Sequence, residues 1–286
     1  LGGENETDRE AGKQKSKKHF AEVCPYYRHL VDKKDNWEVP KVSIYIPAYN
    51  AEKTILDAVE SVLNQTFKDV EACICDDGST DNTVKLLEKY YSDNPRVRWV
   101  SQANGGIGAA SNTAVKLCRG IYIGQLDSDD YLAEDVVEKC VGEMDKDLSI
   151  GLVYTTYENE YQDGRIEQGY NYPVYLREKL VTAMIAHHFR MFRKLYWCRT
   201  EGFNERIKNA VDYDMYLKLS EVCNAKHLNV VGYRRRLHGD NTSIKNFSEQ
   251  MKNTAVVVNS SLSRMGLKYV ASLEDENKSQ LIFKGN

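Results

Sequence analysis

Acidic residues cluster directly after two apolar runs of this 286-residue chain. Asp76 and Asp77 follow "VEACIC", and Asp127, Asp129 and Asp130 follow "YIGQL". Carboxylates this close together repel one another, and a divalent cation turns that repulsion into attraction. Oxygen ligands at this density suit Mg²⁺ or Mn²⁺. The same residues also fit solvated turns, in which Asp130 would cap a helix at "AEDVV" and one of the first pair would cap the helix after "STDNT".

A glycine-rich segment offers a third interpretation of the second cluster. Gly106, Gly108 and Ser111 follow a strand pattern and open a helical one, and Asp127 lies about twenty residues further on. This imitates the dinucleotide-binding fingerprint, in which an acidic residue binds the ribose. However, Ser111 replaces the third glycine, and the segment belongs to the third strand–helix unit rather than the first. We therefore rank an NAD-dependent oxidoreductase below the other interpretations.

Alternating strand and helix patterns must position these residues. Four segments are predicted to be strands: "KVSIYIP", "VEACIC", "RVRWVS" and "YIGQLD". A helical pattern follows each strand, as Ile55, Val59 and Val62 follow the first. Helix N-caps are expected at Asn50 and near Ser79. Strand–helix units of about 30 residues predict an α/β fold with a mostly parallel sheet and right-handed crossovers. Such sheets bind ligands beyond the carboxyl ends of their strands, where both acidic clusters fall.

The chain divides into parts of different regularity. Residues 1–39 are polar and charged, which predicts a linker or connector with at most a short docked helix. Residues 40–269 are predicted to form one domain, with a regular half over 40–145 and a looser half over 146–269. The remaining residues, 270–286, are polar and predicted to fray.

Composition argues against several classes of protein. The net charge of −3 disfavours nucleic acid as a partner, because phosphate binding normally needs a basic surface. No apolar run approaches ~18 residues, so no transmembrane segment is predicted. Seven cysteines without a tight spacing framework predict buried free thiols and a reducing compartment, with Cys73 and Cys75 on one face of a strand. The expected location is the cytoplasm, at most peripheral to the inner face of the membrane. The start at Leu1, without a signal-peptide pattern, predicts a fragment of a longer protein.

Five motifs carry a resemblance to a known family. In chain order they are "VSIYIPAYNAEKTI", "CICDDGSTDNT", "NGGIGAASNTAV", "GQLDSDD" and "NAVDYDMYLKL". Together they resemble the inverting nucleotide-sugar glycosyltransferases of family 2, which have the GT-A fold, over residues 41–245. "GYNYP", "MIAHHFRMF" and "LHGDNTSIK" resemble more closely the second, glucuronate-transferring module of bifunctional bacterial hyaluronan and chondroitin synthases. "ENETDREAGK" is similar to the connector after their first module. "NAVDYD" replaces the tryptophan-containing acidic motif of that first module, which favours glucuronate transfer.

The resemblance implies a donor site in the half formed by 40–145. Asp127, Ser128 and Asp129 would handle the diphosphate and an Mn²⁺ or Mg²⁺ ion, with Asp129 the more direct ligand and Asp127 nearer the ribose. His238 would complete the metal shell, although a surface loop is the alternative for this histidine. Asp77 would accept a hydrogen bond from the uracil N–H. The residues expected to bind the nucleotide-sugar are Pro47, Ala48, Tyr49, Asn50, Asp76, Asp77, Asn104, Gly105, Asp127 and Ser128.

The half formed by 146–269 would bind the acceptor. An inverting displacement needs a base for the proton of the acceptor hydroxyl, and Asp212 matches the aspartate of the family's helix-start motif. Asp214, two residues on, is expected to cap the helix or to form an ion pair. His187 and His188 are candidates for the acceptor groove, and Arg190 for the donor carboxylate. Core packing is the alternative for the two histidines, and a solvated face is the alternative for the run of arginines at 234–236. Further candidates for the donor carboxylate are Arg193, Arg234, Arg235 and Arg236.

The resemblance therefore implies a metal-dependent inverting transferase. It would move glucuronate from UDP-glucuronate to the non-reducing N-acetylhexosamine of a chondroitin or hyaluronan chain, forming a β1,3 linkage. Its partners would be the UDP-sugar donor, a glycosaminoglycan oligosaccharide and a first N-acetylhexosaminyltransferase module. Two alternatives stay open: another hexosyl or N-acetylhexosaminyl transferase on the same fold, and a carbohydrate-binding module with degenerate catalysis.

Overall fold

The first half of the chain alternates strands and helices. The computed structural model describes residues 39–170, 172–237, 247–273 and 281–285. Its first strands are β1 (Val42–Ala48), β2 (Val70–Asp76), β3 (Val97–Ser101) and β4 (Tyr122–Gln125). The helices between them are α1 (Ile55–Leu63), α2 (Thr83–Tyr91) and α3 (Ile107–Leu117). These are the elements that the apolar patterns predict.

The second half is less regular. Its strands are β5 (Tyr131–Leu132), β6 (Ile150–Tyr161), β7 (Ile166–Gln168), β8 (Arg190–Arg193), β9 (Asn224–Leu237), β10 (Tyr269–Leu273) and β11 (Leu281–Gly285). Its helices are α4 (Val136–Lys146), α5 (Arg177–Thr182), α6 (Lys194–Trp197), α7 (Val211–Val222) and α8 (Phe247–Arg264).

One mixed sheet joins both halves. The strand order is β3–β2–β1–β4–β8–β6–β9–β5, and β7 pairs with β6 outside this path. The pairs β3–β2, β2–β1 and β1–β4 are parallel, as predicted. β8 lies antiparallel between β4 and β6, and β9 is parallel to β6. Consequently β6 and β9 run in the direction of β4, and their carboxyl ends lie at the same edge of the sheet.

Helices bury both faces of the sheet. Successive strand side chains point to opposite faces, so Val42, Ile44 and Ile46 pack in one apolar cluster with α1 and α4. Tyr45, with the thiols of Cys73 and Cys75, packs on the other face in a cluster with α3 and α7. A sheet covered on both faces explains why the first strands read as continuous apolar runs. The predicted α/β GT-A architecture is confirmed.

The predicted helix starts are wrong at three positions. Thr54, not Asn50, precedes α1, and Asn50 instead has a φ of 51° in the preceding turn. Helix α2 begins after Asn82 rather than near Ser79. Asp130 does not cap a helix, because α4 begins only after Asp135. Short polar side chains bond to whichever main-chain donor the fold brings near them, and local spacing alone does not determine this choice.

The C-terminal segment is also more ordered than its polarity predicts. β10 and β11 pair antiparallel, from Tyr269 opposite Gly285 to Leu273 opposite Leu281. Ala271 and Leu281 are buried in the cluster that includes α8. The Asn259 side chain of α8 donates to the Ala271 carbonyl and accepts from its N–H at 2.8 and 2.7 Å. This pair of hydrogen bonds and two apolar anchors replace the predicted frayed end.

The cysteines follow the prediction with one exception. Cys73, Cys75, Cys118, Cys140 and Cys223 are free, and the first four are buried. Cys198 is disulfide-bonded, so the expectation of a free thiol is wrong there. A disulfide depends on two sulfurs meeting in space, which the spacing of cysteines along the chain does not show. None of the helices within the described ranges combines the length and the apolar character needed to cross a membrane.

Candidate active site

The predicted donor residues meet at the carboxyl edge of the sheet. Pro47 and Ala48 are buried at the end of β1, and Ala48 lies opposite Asp76 of β2. Beyond them the chain turns outward, and Tyr49 is 52% exposed. The Asn50 carboxamide oxygen accepts from the Thr80 N–H at 2.8 Å, which joins the loop after β1 to the loop after β2. These two segments, predicted from separate motifs, therefore form one surface.

Asp77 organises the glycine-rich loop. Its carboxylate is 3% exposed and accepts the main-chain N–H groups of Gly105 and Gly106 at 2.9 and 2.8 Å. Gln102 donates a third hydrogen bond to it at 2.7 Å. A dinucleotide motif presents such glycine N–H groups to a phosphate. Here they are directed at Asp77, which argues against the NAD-binding alternative, and the contact of Asp77 with uracil stays a prediction.

Two further predicted nucleotide residues flank this loop. Asn104 and Gly105 are exposed at its tip. Gly78 has a φ of +77°, and a Cβ there would lie 3.0 Å from the Asn104 main-chain nitrogen. A glycine is required because the strand-end loop approaches the glycine-rich loop this closely. Asp76 is buried and accepts from the Ser79 N–H at 3.3 Å, so it closes the turn beside Gly78.

The cluster after β4 is a turn rather than the extension of a strand. β4 ends at Gln125, and the Asp130 N–H donates to the Asp127 carbonyl at 3.2 Å. Ser128 and Asp129 therefore occupy the middle of the turn. Burial and, to a smaller extent, the negative charge of Asp129 together raise the pKa of Asp127 to about 6. The two carboxylates thus interact as predicted.

Asp130 supports this turn from the protein side. Its carboxylate is buried and accepts from the Tyr233 hydroxyl and from the Arg236 N–H, both at 2.8 Å. The Tyr233 hydroxyl in turn accepts from the Asp127 N–H at 3.2 Å. The turn is consequently anchored on β9, with the side chains of Asp127, Ser128 and Asp129 partly exposed.

The chemistry of Asp127 and Asp129 fits a hard divalent cation. Mg²⁺ is normally held by one or two carboxylates together with substrate phosphates and water. The repulsion that raises the pKa of Asp127 is what such a cation would relieve. In the part of the chain that the structure describes, no three His, Cys, Asp or Glu side chains converge on a closed metal site. His238, the predicted third ligand, lies outside the described residues.

Asp212 is joined to this turn through Arg190 and Gln125, and its negative charge also contributes to the raised pKa of Asp127. It is in the first turn of α7, which follows Ala210 with a φ of 63°, and 39% of its side chain is exposed. A helix N-terminus stabilises a carboxylate there. Asp214 is buried and forms an ion pair of 2.6 Å with Lys218, which confirms the ion pair expected for it. Of the two carboxylates, Asp212 is therefore the one that a substrate can reach.

Arg190 connects the two sides. Its guanidinium is 1% exposed, and Nη1 lies 3.0 Å from Asp212 Oδ2 and 3.1 Å from Gln125 Oε1. Gln125 Nε2 donates to Asp127 Oδ1 at 3.3 Å. The Tyr216 hydroxyl donates to Gln125 Oε1 at 2.9 Å. Gln125 and Tyr216 are site residues that the sequence analysis did not single out, although both lie within the motifs "GQLDSDD" and "NAVDYDMYLKL".

The predicted histidines occupy different surroundings. His188 stacks on Tyr233, and its Nε2 lies 3.5 Å from Asp127 Oδ2 and 3.2 Å from Arg190 Nη1. Burial and the charge of Arg190 hold its pKa well below the usual range, so it is neutral. His187 packs against the rings of Tyr157 and Tyr170, and burial lowers its pKa to about 4. Only His188 contacts the acidic turn.

The other predicted arginines are engaged elsewhere. Arg193 is buried and donates to the carbonyls of Ile150 and Met144. Arg234 pairs with Glu158 at 2.5 Å, and Arg236 with Asp57 at 2.7 Å. Arg193 therefore bonds to the main chain, and Arg234 and Arg236 form ion pairs elsewhere. Arg190 is the one of these four arginines that is seen to contact Asp212.

Comparison with known proteins agrees with this arrangement. A family model described as "Glycosyl transferase family 2" matches residues 43–199, more than half of the chain. The chain belongs to this family. The match covers the strands β1 to β4 and β8, and hence the turn at Asp127 and Arg190, and it ends before Asp212.

Three curated relatives of this glycosyltransferase are glycosaminoglycan synthases. It is 58% identical over 93% of its length to a chondroitin synthase of Escherichia coli. It is 58% identical over 94% to a hyaluronan synthase of Pasteurella multocida. A chondroitin synthase of P. multocida strain Pm70 is 59% identical over 92% of the chain. The chain spans 40% of the E. coli protein and 28% of each Pasteurella protein, which fits one module of a longer synthase.

Solved structures show the same fold at low identity. The structure of Staphylococcus aureus TarS 1–349 in complex with UDP-GlcNAc has a TM-score of 0.63 and 23% identity, and the match covers 76% of this chain and 66% of that one. Mannosyltransferase PcManGT of Pyrobaculum calidifontis, in complex with GDP-Man and Mn²⁺, has a TM-score of 0.58 and 15% identity over 88% of this chain and 84% of that one.

Proposed function

We propose that this glycosyltransferase moves glucuronate from UDP-glucuronate to the non-reducing N-acetylhexosamine of a chondroitin or hyaluronan chain. The linkage formed is β1,3, with inversion at the anomeric carbon. The observation that carries the proposal is the similarity over nearly the whole chain to two chondroitin synthases and a hyaluronan synthase. Their two polymers share glucuronate and differ at one hydroxyl of the hexosamine. Similarity to synthases of both polymers therefore supports transfer of the sugar that they share, glucuronate.

The donor binds along the edge formed by the loops after β1, β2 and β4. The exposed Tyr49 and the glycine-rich loop shaped by Asp77 provide the surface for uridine. Asp127, Ser128 and Asp129 face the diphosphate. An Mn²⁺ or Mg²⁺ ion held by these carboxylates would neutralise the charge that develops on the diphosphate as it leaves.

Asp212 acts as the general base. As the acceptor hydroxyl oxygen bonds to the anomeric carbon, Asp212 takes the hydroxyl proton, and the bond from the anomeric carbon to the diphosphate oxygen breaks. The electron pair of that bond leaves with UDP. With 39% of its side chain exposed, Asp212 is open to an acceptor hydroxyl, which for inversion must attack from the face opposite the leaving group.

The proposed function also includes an acceptor surface, a first module and a location in the cell. The ring pair of His187 and Tyr170 lies beside the acidic site and is a candidate surface for acceptor sugars. The full-length protein is proposed to carry a first module that adds the N-acetylhexosamine. The proposed location is the cytoplasm, at most peripheral to the inner face of the membrane.

The test is a panel of donors against acceptors of defined ends. UDP release is measured with UDP-glucuronate, UDP-N-acetylglucosamine, UDP-N-acetylgalactosamine and UDP-glucose, with Mn²⁺ and after chelation. The acceptors are hyaluronan and chondroitin oligosaccharides that end either in N-acetylhexosamine or in glucuronate. We expect turnover only with UDP-glucuronate, Mn²⁺ and the hexosamine end.

Each alternative has its own outcome in this panel. Turnover of a UDP-N-acetylhexosamine on the glucuronate end would assign the chain to hexosamine transfer. UDP binding without turnover of any donor would instead support the carbohydrate-binding module. Activity that survives complete chelation would remove the metal from the proposal, whatever the donor.

A further inference from the structure

Within the described residues, Arg190 is the only side chain that is seen to bond both to Asp212 and to Gln125, the residue that donates to Asp127. It belongs to β8, which pairs directly with β4 through Gly124 and Met191. Its Nη1 reaches Asp212 on one side and Gln125 on the other. Gln125 in turn donates to Asp127. A continuous set of hydrogen bonds therefore runs from the acidic turn to the proposed base.

The guanidinium is fixed on all sides that the structure describes. Its Nε donates to the Ala186 carbonyl at 2.5 Å, and its plane lies over the Tyr216 ring at 4.6 Å. The Tyr216 hydroxyl also donates to Gln125, so the same ring orients the amide that accepts from Arg190. With 1% of the residue exposed, the guanidinium is not presented to a donor carboxylate. A group held this way serves another side chain better than a substrate.

We propose that Arg190 is a positioning residue, which holds the Asp212 carboxylate at a fixed place relative to the Asp127 turn. This inference rests on the proposed function, because it takes Asp212 as the base. Arg190 binds Oδ2 of Asp212 and the Tyr213 N–H donates to Oδ1 at 2.8 Å, while 39% of the side chain stays exposed to an acceptor. Base catalysis depends on geometry, and a displacement of about 1 Å can cost about 100-fold in rate. Without Arg190, the Tyr213 N–H on Oδ1 would be the one hydrogen bond to Asp212 that remains of those seen in the described residues, and a single bond fixes the carboxylate less firmly.

Lysine is a poor substitute for this role. Its ammonium carries the charge but lacks the planar fork that reaches Gln125, Asp212 and the Ala186 carbonyl together. The Arg190→Lys variant should therefore keep Asp212 paired only loosely. Tyr216→Phe is a milder change, because it removes one hydrogen bond to Gln125 and keeps the ring under the guanidinium.

Steady-state kinetics of Arg190→Gln separates positioning from donor binding. We expect kcat to fall about 30- to 100-fold, with the KM for UDP-glucuronate and the Kd for UDP within about 2-fold of the parent. Arg190→Lys should lose about 10-fold and Tyr216→Phe about 2- to 3-fold in kcat. A rise of 10-fold or more in the donor KM with unchanged kcat would overturn the proposal and assign Arg190 to the donor carboxylate.

A double-mutant cycle with Asp212→Asn tests whether Arg190 acts through Asp212. If it does, Arg190→Gln adds less than about 3-fold to the loss already caused by Asp212→Asn. Losses that multiply would contradict the proposal, because Arg190 would then act independently. Full activity of Asp212→Asn alone would instead refute the proposed base, so the two failures are distinguishable.

Arg193 provides a matched control. It is a buried arginine on the same strand, but it donates to main-chain carbonyls away from Asp212. Arg193→Lys should lower the melting temperature while leaving kcat per mole of UDP-binding protein within about 2-fold. If Arg190→Gln does not fold, the Arg190→Lys and Tyr216→Phe variants in the same cycle decide the question. Wild-type kcat in both would overturn the proposal.

Discussion

The two sides of the candidate site are held in place by different means. On the donor side, the loops after the parallel strands β1, β2 and β3 are joined by short side chains that accept main-chain N–H groups of a neighbouring loop, as Asp77 does from Gly105 and Gly106. On the acceptor side, Asp212 depends on Arg190, a buried side chain from another element. The comparison indicates that the donor side can be altered locally, whereas changes on the acceptor side affect the packing of the second half.

The largest effect is expected at Asp129. Asp129→Asn removes a charge from the acidic turn, so the stabilisation that a metal ion gives to the departing diphosphate should be lost. We expect kcat to fall about 10³-fold, with little change in the melting temperature. Ser128→Ala, in the same turn, is the control and should lose less than 10-fold. Full activity of Asp129→Asn with undiminished dependence on Mn²⁺ would remove Asp129 from the metal site.

Asp214 tests whether buried side chains hold helix α7 on the acceptor side. Asp214→Ala leaves Lys218 charged and buried without its partner in α7. Loss of one member of a buried pair costs about 3–5 kcal/mol in the free energy of unfolding. Urea unfolding should show this loss, while Asp214→Ala/Lys218→Met should recover part of it. A loss below about 1 kcal/mol would mean that α7 is not held by buried side chains as argued.

The same contrast explains what could be predicted from the sequence. Loops after parallel strands lie at one edge of the sheet whatever their exact contacts, so the order of the motifs was enough to bring Tyr49, Asp77 and Asp127 together. The contacts of Arg190 with Gln125 and Tyr216 join three elements distant in sequence, and apolar periodicity carries no information about them. Asp130 failed as a predicted cap for a related reason, since its donors come from β9.

His187 should make stability depend on pH. Burial lowers its pKa from 6.5 to about 4, so the unfolded chain binds more protons than the folded protein between these values. The stabilising contribution is complete above pH 6.5 and is lost as the pH falls towards 4, by up to about 3 kcal/mol. His188 acts in the same direction, and the raised pKa of Asp127 acts in the opposite one.

The variant His187→Asn isolates this contribution. Urea unfolding at pH 7 and pH 5 gives the pH dependence of the free energy of unfolding for parent and variant. Between pH 7 and pH 5 the free energy of unfolding should change by about 1–2 kcal/mol less in the variant than in the parent, because the variant lacks the titration of His187. Equal pH dependence in both proteins would show that His187 is more accessible to water than its contacts with Tyr157 and Tyr170 suggest.

The smallest effect is expected in the glycine-rich loop. Asp77→Asn replaces one acceptor oxygen by an NH₂ group, which then faces the N–H of Gly105 or Gly106. We expect about a 10-fold weaker Kd for UDP, measured by calorimetry, because one donor loses its partner and the loop shifts.

Gly78→Ala separates loop support from direct contact with uracil. It keeps the carboxylate but forces a Cβ into a position 3.0 Å from the Asn104 nitrogen at a φ of +77°. If Asp77 acts by shaping the loop, Gly78→Ala weakens UDP binding by a similar factor. Should Gly78→Ala bind UDP as the parent does while Asp77→Asn does not, Asp77 contacts the nucleotide itself. In that case Asp77 would act on the nucleotide directly, as Asp212 is proposed to act on the acceptor, and support of the loop would be its lesser role.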